Sequence, residues 1–302
     1  MTSKNHLPRI AVLGGDKRQI TAAQSLADKG FSVCVFGIGT GNDFHPNVTR
    51  YADWKEAVGA SGILLLPLPI SLDGVRLHMP LSVGETEVRF DVLLDVAEGK
   101  TVLGGRLSDT FVRRAEACGV RCIDYFSSEF LQQRNALPTV EGAIEIAMRS
   151  LPVTLAGTKM AVVGFGRLGE LLSYKLHLLG ADVTVYARRE EALAKATLYG
   201  CSAVKLSENG ESALCGMHPM TRVVFQTVPA CLLDGETLKK IPPCACLIDL
   251  ASAPGGIDHV AAERLGIQTV WATSLPGKYA PETAGEIIAD TIETILLKEY
   301  QP

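Results

Sequence analysis

Three glycines, Gly164, Gly166 and Gly169, stand in G-x-G-x-x-G spacing directly after the apolar run Met160 to Val163. Glycines so placed can bind a pyrophosphate. The first permits a tight turn, and the second lets the backbone approach the phosphates. The third lets the following helix pack close, with its N-terminal N–H groups aimed at the anion. The context is complete: a helical stretch follows, Gly180 stops it, and Asp182 to Tyr186 read as the next strand. Gly164, Phe165, Gly166, Arg167, Leu168 and Gly169 are therefore candidate cofactor contacts. The end of that second strand selects the nucleotide. NAD sites usually place Asp or Glu there to accept from the ribose 2′-OH. Here Ala187 is followed by Arg188 and Arg189, whose guanidinium groups suit a 2′-phosphate, so NADP is the expected cofactor. Asp182 comes too early in the strand for the ribose role.

Elements must carry these residues, and the rest of the chain supplies them. In the first half, Arg9 to Leu13, Phe31 to Phe36, Ser61 to Leu66, Thr101 to Leu103 and Val120 to Asp124 are short apolar runs. Helical stretches at Arg18 to Asp28 and Asp109 to Cys118 alternate with them. The alternation predicts open parallel sheets with helices on both faces. The expected fold class is α/β with two doubly wound lobes joined by crossover helices: an N-terminal flavodoxin-like substrate lobe and a Rossmann NAD(P)-binding lobe. The first glycine turn, Gly14-Gly15-Asp16, lacks the full fingerprint and sets an acid where a phosphate would lie, so no second dinucleotide is assigned. Ser71 to Phe90 has no regular pattern.

Pro138 suits the first turn of a linking helix, with Thr139 and Glu141 beside it, and Pro152 ends that helix. Pro281 opens a last helix carrying Ile287, Ile288, Ile292, Ile295 and Leu296. The expected domains are a substrate lobe over 1–136, a linking helix over 137–151, the nucleotide domain over 152–280, and a helix over 281–302 returning to the first lobe. Two lobes around a cleft are the expected arrangement. Three strand-end loops of the nucleotide domain are places for chemistry: Thr227-Val228-Pro229, Asp249-Leu250-Ala251-Ser252 with Gly255-Gly256, and Leu275 to Pro281.

Composition narrows the class. The 302 residues carry 29 Lys+Arg against 33 Asp+Glu, a net charge of −4, which argues against nucleic acid. Ile63 to Pro67 is too short to span a bilayer. The N-terminus enters a strand almost at once, leaving no expected signal peptide. The 8 cysteines are scattered; Cys118/Cys122 and Cys244/Cys246 lack metal spacing, so buried thiols, no metal and a cytoplasmic location are expected. His6, His45, His78, His177, His218 and His259 are scattered too, and His259, behind Asp258, is the nearest to a proton carrier.

GGDKRQ at 14–19, PTVEG at 138–142, VVGFGRLG at 162–169, DLASAPGGID at 249–258 and LPGKYAPETAG at 275–285 resemble the A subunit of dipicolinate synthase, in the same order along the whole chain. The resemblance implies NADP-dependent dehydrogenation of dihydrodipicolinate, formed from 4-hydroxy-tetrahydrodipicolinate, to dipicolinate during sporulation. It implies a branch from the lysine pathway, partnership with a flavoprotein-like B subunit, and the mother-cell cytoplasm. A homo-oligomer is also expected. A small dicarboxylate asks for cationic or N–H-rich partners. Arg18 and Arg106 in the first lobe, and Lys278, Ser252 and the N–H groups of Gly255 and Gly256 in the second, are candidates. Arg18 has Asp16 as an alternative partner. Glu141 is a candidate base, or a carboxylate suited to a helix start; Thr139 is a donor to substrate or a cap. Asp249, Leu250, Ala251, Thr227, Val228 and Pro229 complete the cofactor set. Two rivals stand beside this reading. One is an NADP-dependent D-2-hydroxyacid-dehydrogenase-like oxidoreductase, disfavoured because no Glu is placed to orient a histidine at the strand-end loops: a glycine run follows the Asp249 loop, and the Leu275 loop carries no histidine. The other is a non-catalytic nucleotide-binding subunit needing a partner.

Overall fold

The computed structural model describes residues 7–39, 44, 46–84, 86–207 and 214–300; His6 and His45 lie outside them. The chain divides into two compact units, Met1–Asn135 with Ala280–Pro302, and Ala136–Tyr279.

In the first unit the parallel strands are β1 (Ile10–Leu13), β2 (Val33–Phe36), β3 (Val48–Arg50), β4 (Ile63–Leu65), β5 (Thr101–Gly104) and β6 (Arg121–Asp124). Their order is β3-β2-β1-β4-β5-β6. Side chains alternate across β1: Ile10 and Val12 enter one core, Ala11 and Leu13 the other. A strand buried on both faces is what a doubly wound sheet needs. Helices α1 (Lys17–Asp28) and α11 (Pro281–Glu299) cover one face. On the other lie α2 (Trp54–Gly59), α3 (Phe90–Val96) and α4 (Asp109–Ala117). Gly285 of α11 approaches α1 so closely that a Cβ there would stand 2.5 Å from the Arg18 carbonyl.

The first sheet is doubly wound as expected, with one strand more than the sequence shows. The five strands legible in the sequence fall in the spatial order 2-1-3-4-5, the flavodoxin order. The sixth, β3, pairs parallel with the outer edge of β2 and makes the order that of a six-stranded dinucleotide fold. It escapes detection because it has three residues and only Val48 is buried.

The second unit repeats the plan with β7 (Lys159–Val163), β8 (Asp182–Ala187), β9 (Ser202–Lys205), β10 (Val223–Gln226), β11 (Cys246–Asp249) and β12 (Thr269–Trp271). The order is β12-β11-β10-β7-β8-β9, the same topology counted from β7. Its described helices include α6 (Arg167–Leu178), α7 (Glu190–Leu198), α8 (Gly235–Leu238), α9 (His259–Arg264) and α10 (Leu275–Tyr279).

Helix α5 (Glu129–Ser150) begins well before the expected 137, and Pro138 lies inside it. Proline forfeits one backbone bond and normally costs about 3 kcal/mol in a helix interior. Packing on both sides offsets this: Leu131 joins the first unit's core, while Val140, Ala143, Ile144 and Ala147 join the second's. Glu141 and Thr139 are therefore mid-helix, and neither the helix-start role of the one nor the capping role of the other survives. No described helix is long and apolar enough to cross a membrane.

Candidate functional site

β7 delivers the chain into the glycine turn, and each glycine answers a separate demand. Gly164 has φ +97, and its N–H donates to the Tyr186 carbonyl of β8 at 2.8 Å. A side chain there would collide with Thr227 Oγ1 and Val228. A Cβ on Gly169 would run into the Gly164 carbonyl oxygen, so α6 packs against the turn at a distance only glycine permits. Gly166, the N-cap of α6, is different: nothing lies within 4 Å of where its Cβ would be. Two glycines close the protein's own packing, and the middle one keeps open the side a pyrophosphate needs. Phe165 is buried, Leu168 packs partly on the core, and Arg167 opens α6.

The second strand ends as the spacing predicts. Ala187 is buried, Arg188 and Arg189 are exposed, and neither guanidinium has a hydrogen-bond or ion-pair partner among the described residues. Asp182, at the start of β8, pairs with Lys159 instead. A dinucleotide bearing a 2′-phosphate fits this set: an open cradle, a helix N-terminus and two uncommitted cations.

The loop after β10 is tied down from within. Thr227 Oγ1 donates to the Val163 carbonyl at 2.9 Å. Gln226, fully buried, donates from Nε2 to the Gly256 carbonyl at 3.1 Å and accepts from the Val228 N–H at 3.4 Å. Pro229 follows. Gln226 thus couples the loops after β10 and β11, a role not assigned from sequence. A polar residue closing the apolar strand Val223–Gln226 is the signal that marks it.

Asp249 closes β11 with no exposed surface. Its Oδ1 accepts the Ala251 N–H at 3.0 Å, and its Oδ2 accepts the Gly256 N–H at 2.8 Å. The Gly255 N–H donates to the Ser252 carbonyl at 2.9 Å. The N–H groups of Gly255 and Gly256, expected to serve a substrate carboxylate, are thus spent on shaping the loop. Leu250 and Ala251 are buried beside them, and Ser252 is exposed. Asp249 Oδ2 also faces His259 Nε2 at 3.3 Å, while His259 Nδ1 meets Thr269 Oγ1 at 3.2 Å. The ring stacks on Trp271 with centroids 5.5 Å apart. An acid thus orients a histidine here, an Asp rather than the Glu that the rival reading asks for. Both ring nitrogens are engaged, so the pair braces the loop.

Lys278 sits on the short helix α10 rather than in a loop, exposed and without an ion partner among the described residues. Glu141 is exposed on α5 and pairs with Lys175 at 3.0 Å. Thr139, two residues earlier in α5, is half-buried and has an interaction of its own. Among the described residues no three His, Cys, Asp or Glu gather as a metal site, and the cysteines are free.

In the first unit, Arg18 is buried and forks onto Asp16, with Nη2–Oδ2 at 2.8 Å and Nε–Oδ1 at 2.9 Å, and Nη2 also donates to the Leu68 carbonyl. Asp16 is at once the N-cap of α1, accepting the Arg18 N–H at 3.0 Å. Arg106 follows β5 at φ +61, a left-handed conformation unusual outside glycine. The carboxylate of Asp124 holds it there by accepting the N–H groups of Arg106 at 3.0 Å and Leu107 at 3.1 Å. Its guanidinium is exposed and lies 5.7 Å from the Phe126 ring centroid.

Residues 9–126 match the family model for the N-terminal domain of the dipicolinate synthase A subunit. Over 289 residues, 95% of each chain, the sequence is 28% identical to the dipicolinate synthase A subunit of Bacillus subtilis (strain 168). The crystal structure of the A subunit of dipicolinate synthase from Bacillus halodurans superposes with a TM-score of 0.86 at 26% identity, covering 97% of this chain and 98% of that one. The Bacillus subtilis counterpart superposes at 0.83 with 26% identity, covering 99% and 97%. Over nearly its whole length the chain is similar to dipicolinate synthase A subunits, and its N-terminal part matches that family's N-terminal domain. Among the described residues, the open glycine turn of the second unit and the polar strand-end groups of the first are candidate ligand regions.

Proposed function

We propose that this chain is the dehydrogenase subunit of a dipicolinate synthase, oxidising dihydrodipicolinate, derived from 4-hydroxy-tetrahydrodipicolinate, to dipicolinate with NADP⁺. The observation that carries the reading is the fingerprint turn in a chain similar throughout to dipicolinate synthase A subunits. Gly166 is open, Gly169 lets α6 reach the turn, and Arg188 and Arg189 stand without a partner among the described residues where NAD enzymes keep an acid. When bound, the nicotinamide supplies a two-electron acceptor, taking hydride from the dihydro ring while one proton leaves separately. Aromatisation supplies driving force, so the chain's work is to orient the acid and take charge of that proton. Gly164, Gly166 and the first turn of α6 hold the pyrophosphate; Arg188 and Arg189 hold the 2′-phosphate. Arg18 and Arg106 are the first unit's cations for substrate carboxylates, with Lys278 and Ser252 from the second. Glu141 remains the candidate base. A flavoprotein-like B subunit, homo-oligomeric assembly of this chain and the mother-cell cytoplasm of a sporulating bacterium complete the proposal.

One observation favours the D-2-hydroxyacid-type alternative: the Asp249–His259 pair at the end of β11. A coupled assay decides between them. Pyruvate, aspartate semialdehyde and dihydrodipicolinate synthase are mixed with the chain and NADP⁺, with and without the B subunit. Dipicolinate with equimolar NADPH is expected. No dipicolinate in either mixture, with NADPH still bound and 2-hydroxyacids oxidised, would support the alternative. Product only when B is present would make the chain a nucleotide-binding subunit completed by its partner.

A further inference from the structure

Helix α1 buries Ala22, Ala23, Leu26 and Ala27 against the first sheet, as a covering helix should, yet its first turns bury Arg18 and Gln19 as well. These two stand at the carboxyl end of β1, next to β4, where the strand order reverses and sheets of this type receive ligands. Gln19 has no exposed surface, and neither its Nε2 nor its Oε1 has a hydrogen-bond partner. Its carboxamide lies against Gly15 of the glycine turn: a Cβ there would stand 2.7 Å from Oε1 and 2.8 Å from Cδ. The Tyr125 hydroxyl donates to the Leu66 carbonyl at 3.1 Å, and its polar contact with the Gln19 carboxamide falls outside hydrogen-bond geometry. A buried amide left unpaired is costly, whereas a leucine would fill similar space without that penalty.

The ligand for such groups is small. The strap Leu77–Met79 closes over the glycine turn and leaves little room: a Cβ on Gly14 would stand 2.5 Å from Met79 Cγ, and the His78 carbonyl accepts the Gly15 N–H at 2.8 Å. Asp16 already caps the helix, so the available donors are an amide and a guanidinium whose Nη1 makes no hydrogen bond to a described residue. That set matches a carboxylate.

We propose that Gln19 is a substrate-recognition residue, donating from Nε2 to a carboxylate of a small ring acid whose charge Arg18 balances, and that the acid enters when the strap Leu77–Met79 lifts from the glycine turn. Asp16 is the positioning residue that holds Arg18 beneath it. This rests on the reading above that the substrate is a small ring dicarboxylate.

The test is calorimetric titration of pyridine-2,6-dicarboxylate into the full chain and into Gln19→Leu, with thermal melts and NADPH titrations alongside. The wild-type chain should bind the dicarboxylate, and Gln19→Leu should weaken it more than fivefold. NADPH affinity should be unchanged and the ligand-free melting temperature equal or higher. A purely structural glutamine would lower the melting temperature and leave dicarboxylate affinity alone. Gln19→Glu, close in shape but anionic, is the second variant should the leucine chain fail to fold, and more than fivefold weakening is again expected. A loss below fivefold, or no dicarboxylate binding by the wild type, overturns the proposal. The functional reading falls on a different result, absence of dihydrodipicolinate turnover by the wild type with its B subunit.

Discussion

The two units share one strand order and treat their first βα turn in opposite ways. In the second unit, Gly164-Phe165-Gly166 leaves the space beside Gly166 open, with two arginines at the end of the next strand that have no partner among the described residues. In the first, Gly14-Gly15-Asp16 is capped by the chain itself. Met79 lies over Gly14 and Gly37, the His78 carbonyl takes the Gly15 N–H, and the Asp16 carboxylate sits at the start of α1. A carboxylate at a helix N-terminus satisfies the same N–H groups and dipole that a phosphate would. Topology therefore creates the place for an anion twice, and local side chains decide whether a ligand or the protein fills it.

The comparison is broken most severely at Gly169. Gly169→Val drives a side chain into the Gly164 carbonyl, so a destabilisation of about 3 kcal/mol is expected. Thermal melts and fluorescence titration should show it with NADPH binding abolished. Gly166→Ala, placed in open space, should melt like the wild type and still lose NADPH affinity. Equal melting of both variants would remove the distinction between packing and ligand glycines.

Next in size is Arg188→Ala with Arg189→Ala. Charge-assisted bonds of this kind contribute about 1.5–3 kcal/mol, so NADPH should bind roughly tenfold to a hundredfold more weakly, with NADH nearly unaffected. Matched losses for both cofactors would discard the 2′-phosphate assignment.

Asp16→Ala sharpens the contrast from the other side. It deletes the α1 cap and frees Arg18, and a loss of about 1–2 kcal/mol is expected, read by urea titration. NADPH affinity should not change, because the second unit holds the cradle.

The smallest effect is one of pH. Burial acts to raise the Asp290 carboxyl, but bonds from Lys29 and Arg134 outweigh it and hold the group below its usual range. Stability from this cluster between α1 and α11 is present above the unfolded carboxyl value of about 4 and is lost as pH falls through the lower folded value. Asp290→Asn should thus melt below the wild type at pH 7, and the gap should close in acid. A gap that persists at pH 2 would show that charge is not its source.

What was legible follows from range. The fingerprint, Gly180 and the Ala187-Arg188-Arg189 ending lie within one strand–helix–strand unit, so spacing alone revealed them. The strand β3 was not legible, because three residues with one buried side chain carry no periodic signal. Pro138 misled, since proline marks helix starts more often than it is tolerated inside a helix packed on both sides. The Asp249–His259 contact and the Gln226 tie to Gly256 join separate loops through side chains whose partners no local pattern names.

Residue order alone dictated two α/β halves, a glycine fingerprint turn in the second, and the charges beside it, because each depends on neighbours a few positions apart. It took the folded chain to close the first turn and to bury Gln19 beneath it unpaired. The strap that closes it, Leu77–Met79, comes from beyond β4 in an irregular segment, and its contacts with Gly14, Gly15 and Gly37 exist only once the sheet has brought them together.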